Sequence, residues 1–257
     1  MSIKFTILGC GYSLGVPRID GSFGKCNPGN KKNYRTRCSA LISSKNINIL
    51  IDTSPDLKLQ LIKNKIKNIN KIFYTHPHAD QIHGINDLRL FYLKNQKPIP
   101  VYADKNTRSH LLSSFKYCFK NVSEYPPILE MHNLKKIHRY KDVKDNISIK
   151  SIPVKHGKIN SLCYIINQKC AYASDINEIY KKDLNHFFNL KYLIIDCLRY
   201  RCHYSHFNLT EVLNLIKIIK PKKTILTNLN HEMYYSSLKK KLPKNVEPAY
   251  DGLSFLI

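Results

Sequence analysis

Three features of this 257-residue sequence predict a mixed α and β protein of the α+β class. Short apolar runs, each rich in β-branched or aromatic residues and closed by polar or turn residues, recur along the chain and read as strands. Stretches with helical spacing of apolar residues sit between some of them. The two kinds of element do not alternate strictly, which argues against a simple doubly wound sheet.

Strands are expected at Ile3–Leu8, Ala40–Ser43, Ile47–Asp52, Lys71–Tyr74 and Ile99–Tyr102. Further ones are expected at Ile147–Val154, Leu162–Ile166, Ala171–Ala173, Tyr192–Asp196, Thr224–Leu226 and Leu253–Ile257. Ser54-Pro55 suits a helix start, because Ser can cap and Pro fits the first turn; Leu57, Leu61, Ile62 and Ile66 then form an apolar stripe. Asp80–Leu93 and Arg108–Cys118 are further candidate helices. Thr210–Ile219 is the clearest, with Val212, Leu213, Leu215, Ile216 and Ile219 apolar and Pro221 just beyond its end. The loop from Asp20 to Arg37 is long, glycine-dotted and basic, a length uncommon in loops without a function. No linker, repeat or low-complexity stretch divides the chain, so one domain over residues 1–257 is expected.

The formal net charge is +24, which attracts polyanions such as RNA, yet the basic runs (Lys63–Lys71, Lys135–Lys144, Lys239–Lys244) are scattered and Lys far outnumbers Arg. A lysine-rich solvated surface from compositional bias accounts for that pattern better than a dense binding block. Met1-Ser2-Ile3-Lys4-Phe5 runs straight into a strand-like segment and no apolar run is long enough to span a bilayer, so a cytoplasmic, non-membrane protein is expected. The eight cysteines form no CxxC pair and are expected to be mostly buried thiols. Gly9-Cys10-Gly11 does not open a dinucleotide loop, because Leu14 stands where the third glycine would fall and no crossover helix follows.

The chemistry is concentrated in Thr75-His76-Pro77-His78-Ala79-Asp80-Gln81, which follows an apolar strand and leads into a turn closed by Gly84. Two histidines two apart on such a loop can turn their imidazoles toward one ion, and Asp80 adds a hard oxygen from the first helical turn. That mixed nitrogen and oxygen set suits Zn²⁺, with Mn²⁺ or Fe²⁺ as alternatives.

His76-Pro77-His78-Ala79-Asp80 resembles the HxHxDH signature of the metallo-β-lactamase superfamily. The continuation through Gly84-Ile85-Asn86-Asp87-Leu88-Arg89 is similar to the branch related to the cyclic phosphodiesterase of phosphonate breakdown and to ribonuclease Z. Thr6–Gly11 with Gly15-Val16-Pro17, Arg37-Cys38-Ser39 and Ile51–Asp56 look like that branch's other early blocks. The resemblance implies a four-layer αββα sandwich, two mixed β-sheets flanked by helices. It also implies a metal-dependent hydrolase, a phosphodiesterase using a metal-activated hydroxide on a cyclic nucleotide-like or RNA phosphodiester. Read alone, His156 and Asp175 are polar residues at strand ends; the resemblance makes His156 the third histidine of the first metal site and Asp175 the carboxylate between two metals. It gives His206 a role at the leaving group or the phosphate, beside Asp80 as the other catalytic candidate, although a helix-capping role for His206 stays open.

Two positions depart from the pattern. Gln81 stands where the signature has its last histidine, and Asn228 where the family's final histidine ligand falls. Both serve the second metal in the family, and a neutral amide is a weak ligand, so one firm metal site and a weak or absent second one are expected. His83 or His231 are the substitutes within reach in sequence. Only Cys26 lies in the early loop, so the cysteine-rich structural zinc of some relatives is not expected. The expected partners are a small phosphodiester substrate or an RNA end, with a homodimer left open. Two other functions stay open: a thioester or carboxylic ester hydrolase of the same fold, and a non-catalytic binding or sensor protein with a degraded second metal site. Asn121–Lys144, with its Tyr125-Pro126-Pro127 turn, is the candidate insertion over the cleft, an ordinary connecting loop being the alternative.

Overall fold

The computed structural model describes residues 2–134 and 139–257. Seven strands form the first sheet: β1 (Lys4–Gly9), β2 (Ser39–Ser43), β3 (Asn48–Ile51), β4 (Lys71–Phe73), β5 (Ile99–Ala103), β6 (Leu129–Asn133) and the last strand, β14 (Ser254–Leu256), in the order β14-β1-β2-β3-β4-β5-β6. The second sheet holds β7 (Arg139–Asp142), β8 (Ile147–His156), β9 (Ile159–Ile166), β10 (Cys170–Ala173), β11 (Tyr192–Asp196), β12 (Lys223–Thr227) and β13 (Val246–Pro248), in the order β13-β12-β11-β10-β9-β8-β7. Each sheet is mixed. β14 through β3 pair antiparallel and β3 through β6 parallel; β7 through β10 pair antiparallel and β10 through β13 parallel.

Helices cover both outer faces. Over the first sheet lie α1 (Leu57–Lys63), α2 (Ala79–Ile82), α3 (Arg89–Asn95), α4 (Lys105–Ser114) and α5 (Lys116–Phe119); over the second lie α6 (Leu209–Ile219) and α7 (Tyr235–Lys241). Alternation along the strands assigns the cores. Ile49 and Ile51 point between the sheets with Phe5, Phe73, Tyr172 and Ile194, whereas Leu50 points out to Leu57, Leu61 and Phe91 on the helices. Leu193 and Ile195 face Val212, Ile216 and Ile219 of α6. Strands buried on both faces read as continuous apolar runs, which is why the sequence marks them so clearly. The result is the four-layer αββα sandwich that the resemblance implied.

The expected strands all form, with ends shifted by a residue or a few. Three strands were not expected: β6, β7 and β13, all at sheet edges. The Asp80–Leu93 helix is instead two helices, α2 and α3, separated by a 3-10 turn at Ile85–Leu88. At the break the chain passes close to the segment before α1: a Cβ on Gly84 would stand 2.0 Å from the Ser54 carbonyl. Ser54 does not cap α1; Asp56 takes that position, while Ser54 Oγ, two residues earlier, accepts from the Asp56 N–H. Ile62, expected on the buried stripe, is 65% exposed. All eight cysteines are free thiols, Cys202 exposed and the others buried. No helix among the described residues is long and apolar enough to cross a membrane. Tyr125 lies under the Arg89 guanidinium, 4.9 Å from its ring centre, which ties that turn to α3; the part of the basic run at residues 135–138 lies outside the described residues.

Candidate metal centre

The site forms where chain segments leave the ends of β3, β4, β8, β10, β11 and β12, so both sheets contribute to it. At the end of β3, Asp52 adopts a left-handed conformation (φ 61°), which turns its carboxylate under the next loop. It accepts from the Thr75 N–H at 2.7 Å and from the Thr75 hydroxyl at 2.8 Å. The Thr75 carbonyl accepts from Leu162 N–H of β9 at 2.9 Å, and the Tyr74 carbonyl accepts from the Tyr164 hydroxyl at 2.5 Å. The loop carrying His76 and His78 is thereby fixed to both sheets.

His76, His78 and His156 converge, although β4 and β8 belong to different sheets. His78 Nδ1 lies 3.0 Å from His76 Nε2 and 3.3 Å from His156 Nε2. The far nitrogens fix the tautomers. His156 Nδ1 lies 2.7 Å from the Ser205 carbonyl, an acceptor only, so Nδ1 carries the proton and Nε2 presents its lone pair. His76 Nδ1 lies 3.0 Å from Thr75 Oγ1, whose own proton goes to Asp52, so here too Nε2 is the bare nitrogen. Burial drives the His76 pKa down to about 3 and lowers those of His78 and His156, so all three rings are neutral at neutral pH.

This donor set fits a divalent cation. Neutral imidazoles are borderline ligands suited to Zn²⁺, and nitrogens held at about 2.0–2.1 Å in a tetrahedron stand about 3.3 Å apart. The 3.0 and 3.3 Å separations match that spacing. Backbone and hydroxyl acceptors on the far ring nitrogens are the supports such ligands need.

Beside the histidines lies a carboxylate half. Asp175 and Asp196 are buried at 3% and 0% exposure, and Asp80 stands in the first turn of α2. Burial, reinforced by Asp175, raises the Asp80 pKa to about 6. His206 Nδ1 lies 2.6 Å from Asp196 Oδ2 and 4.0 Å from Asp175 Oδ1. Burial by itself would lower the His206 pKa, but Asp196, then Asp175 and Asp80, outweigh it and hold it up at about 9. Asp196 also accepts from the Ile176 N–H at 3.0 Å, which fixes the carboxylate behind the ring.

Gln81 and Asn228 both reach this half, each through its amide nitrogen. Gln81 Nε2 lies 3.2 Å from Asp80 Oδ2 and 3.2 Å from Asp175 Oδ2, and Gln81 Oε1 is buried without a partner. Asn228 Nδ2 lies 3.3 Å from Asp175 Oδ1 and 3.3 Å from Asp196 Oδ1. The two sequence substitutes stand elsewhere: His83 packs against Phe115, and His231 Nδ1 pairs with the Tyr12 hydroxyl at 2.8 Å. Sequence reasoning missed Asp196 as a site residue. Its signal was present, since Asp52, Asp175 and Asp196 all stand at or just beyond the C-terminal ends of apolar strands.

The profile of a beta-lactamase superfamily domain matches residues 47–228. The chain belongs to the beta-lactamase superfamily. It is 28% identical over 260 residues to an octanoyltransferase from Porphyromonas gingivalis, an alignment covering 99% of this chain and 52% of that protein. It is 30% identical over 124 residues to ribonuclease Z from Prochlorococcus marinus, 47% of this chain and 39% of the relative. The chain thus spans about half the length, or less, of these curated relatives. Among solved structures, a diphosphatase from the PhnP family superposes with a TM-score of 0.92 at 29% identity, covering 100% of this chain and 98% of that one. These matches bear out the superfamily resemblance carried by the histidine motif.

Proposed function

We propose that the chain is a metal-dependent hydrolase acting on phosphodiesters, and that His76, His78 and His156 are its metal ligands. The observation that carries this reading is the pairing, in one site, of three converging neutral imidazole nitrogens with a separate His206–Asp196 proton donor. His76 and His156 would hold the cation through Nε2 and His78 through Nδ1. A bound divalent cation supplies Lewis acidity, bringing the pKa of water from about 16 toward about 7. Asp80, with its pKa near 6, accepts a proton from the attacking water. His206 remains protonated at neutral pH, is oriented through Nδ1 by Asp196, and donates from Nε2 to the departing oxygen.

The rim supports a phosphorylated, aromatic substrate. Tyr204 is 79% exposed and stacks on His203 at 4.7 Å, and His203 lies 5.0 Å from His206, a platform leading from solvent to the proton donor. The similarity to a PhnP-family diphosphatase and to ribonuclease Z agrees with a phosphorus centre.

The test is hydrolysis of bis(p-nitrophenyl) phosphate, a 2′,3′-cyclic nucleotide and an acyl thioester by zinc-loaded protein. Diester cleavage that EDTA abolishes, zinc restores and His76→Ala eliminates is expected. Thioester turnover without diester turnover would replace this assignment with an acyl hydrolase, and no turnover of any substrate would favour a binding or sensor protein.

A further inference from the structure

By distance alone, the carboxylate half is a second candidate cation site: His156, Asp175 and His206 bring ligand atoms within 4.8 Å of one another. Its hydrogen bonding is that of a site already supplied with donors. An ionised carboxylate only accepts, and an amide nitrogen only donates. Along the half these alternate without a gap. Gln81 Nε2 bonds Asp80 Oδ2 and Asp175 Oδ2; Asn228 Nδ2 bonds Asp175 Oδ1 and Asp196 Oδ1; His206 Nδ1 bonds Asp196 Oδ2. Asp175, central in the row, has a different amide on each oxygen. Gln81 Nε2 has two N–H groups and two carboxylate contacts; Asn228 Nδ2 has two carboxylate contacts and also lies 3.2 Å from His206 Nδ1, so neither amide has an N–H left over.

We propose that Gln81, Asn228 and His206 stand in place of a second metal ion, so that the chain binds one divalent cation, at the three histidines, and closes its carboxylate half with hydrogen-bond donors. This rests on the three-histidine reading above and deepens it. A cation on Asp175 would face two amide nitrogens that have no lone pair to offer, and would have to displace both. Turning the amides round does not help at no cost, since their oxygens would then face three carboxylates until the cation arrived. Gln81 and Asn228 are 0% and 2% exposed, so water cannot take over the broken bonds. Asn228 is further held by its backbone, in a left-handed turn (φ 58°) at the end of β12. The leaving-group side of the reaction is therefore served by a proton from His206 rather than by a second Lewis acid.

The deciding measurement is zinc per chain, by elemental analysis of metal-free protein equilibrated with excess zinc and desalted. The wild-type chain is expected to hold one equivalent, and His76→Ala none. Gln81→His with Asn228→His is expected to hold two, because each substitution exchanges a donor for an imidazole lone pair. Two equivalents in the wild-type chain, with one surviving in His76→Ala, would overturn this inference and leave the three-histidine site standing. No zinc in the wild-type chain would overturn both. Should the double variant not fold, the wild-type and His76→Ala stoichiometries decide the matter, and the side-chain NH₂ signals of Gln81 and Asn228 in the ¹⁵N spectrum of zinc-saturated protein give a second readout. Slow solvent exchange of both is expected; rapid exchange would count against the donor row.

Discussion

In the proposed reaction His206 carries the proton chemistry, and its environment makes two predictions. Its pKa of about 9 in the folded chain exceeds the reference value of 6.5, so protonated His206 stabilises the fold. The contribution is fully present below about pH 6.5 and is lost as pH rises through about 9. In metal-free protein, Asp196→Asn removes the 2.6 Å partner and should flatten the fall in stability over that range. Urea unfolding at pH 6, 7.5 and 9 measures it; an unchanged slope would show that Asp196 does not hold the proton. In the metal-loaded protein, if the proposed reaction holds, His206→Ala should lower kcat on the order of 10²-fold, the usual scale for a positioned acid, with metal content unchanged. Gly84 makes a prediction of a different kind. A methyl group at 2.0 Å from the Ser54 carbonyl meets backbone, which cannot step aside, so Gly84→Ala should cost about 1–3 kcal/mol in unfolding free energy.

At the scale of elements, α6 joins stability to the proposed chemistry. Asn208 accepts from the Glu211 N–H at 3.0 Å while Glu211 Oε2 accepts from the Asn208 N–H at 2.8 Å, a reciprocal cap two residues after His206. Asn208→Ala should therefore destabilise the protein by about 1 kcal/mol and also lower kcat, because the freed turn no longer places His206. Asn208→Ser, which can still cap, should recover most of both losses. What the sequence revealed follows the same division. The apolar stripe of α6 and the doubly buried strands β3 and β11 announce themselves, since every residue that faces a core must be apolar. The edge strands β6, β7 and β13 do not: one side of each has no strand neighbour, and they read as Leu-Glu-Met-His-Asn, Arg-Tyr-Lys-Asp and Val-Glu-Pro. In the site, His76, His78 and Asp80 were legible because they share one loop. The Ser205 carbonyl that sets the His156 tautomer had no side-chain signature, and the amide-to-carboxylate row needed Gln81, Asp175, Asn228 and Asp196 in space rather than in sequence.

For the molecule as a whole, the two sheets share a core of Phe5, Phe73, Tyr164, Tyr172 and Ile194, and the candidate metal ligands continue that contact at its rim. His76 and His78 follow β4 of the first sheet, and His156 ends β8 of the second. A cation held by all three therefore cross-links sheets that are otherwise joined by packing and by a few hydrogen bonds such as Leu162 N–H to the Thr75 carbonyl. Because only the folded chain brings these nitrogens together, binding free energy becomes folding free energy. At a free zinc concentration about 1,000 times the dissociation constant the gain is about 4 kcal/mol. For a chain of this size each kcal/mol moves the midpoint by about 2–4 °C, so removing the metal should lower the thermal midpoint by about 8–16 °C. Calorimetry before and after EDTA, repeated on His156→Ala, measures the effect. The wild-type chain should lose the stabilisation on chelation, and the variant should show little change, since two histidines of one loop no longer bridge the sheets. An equal EDTA shift in both would mean that the cation is held within one sheet and that the sandwich is closed by its core alone.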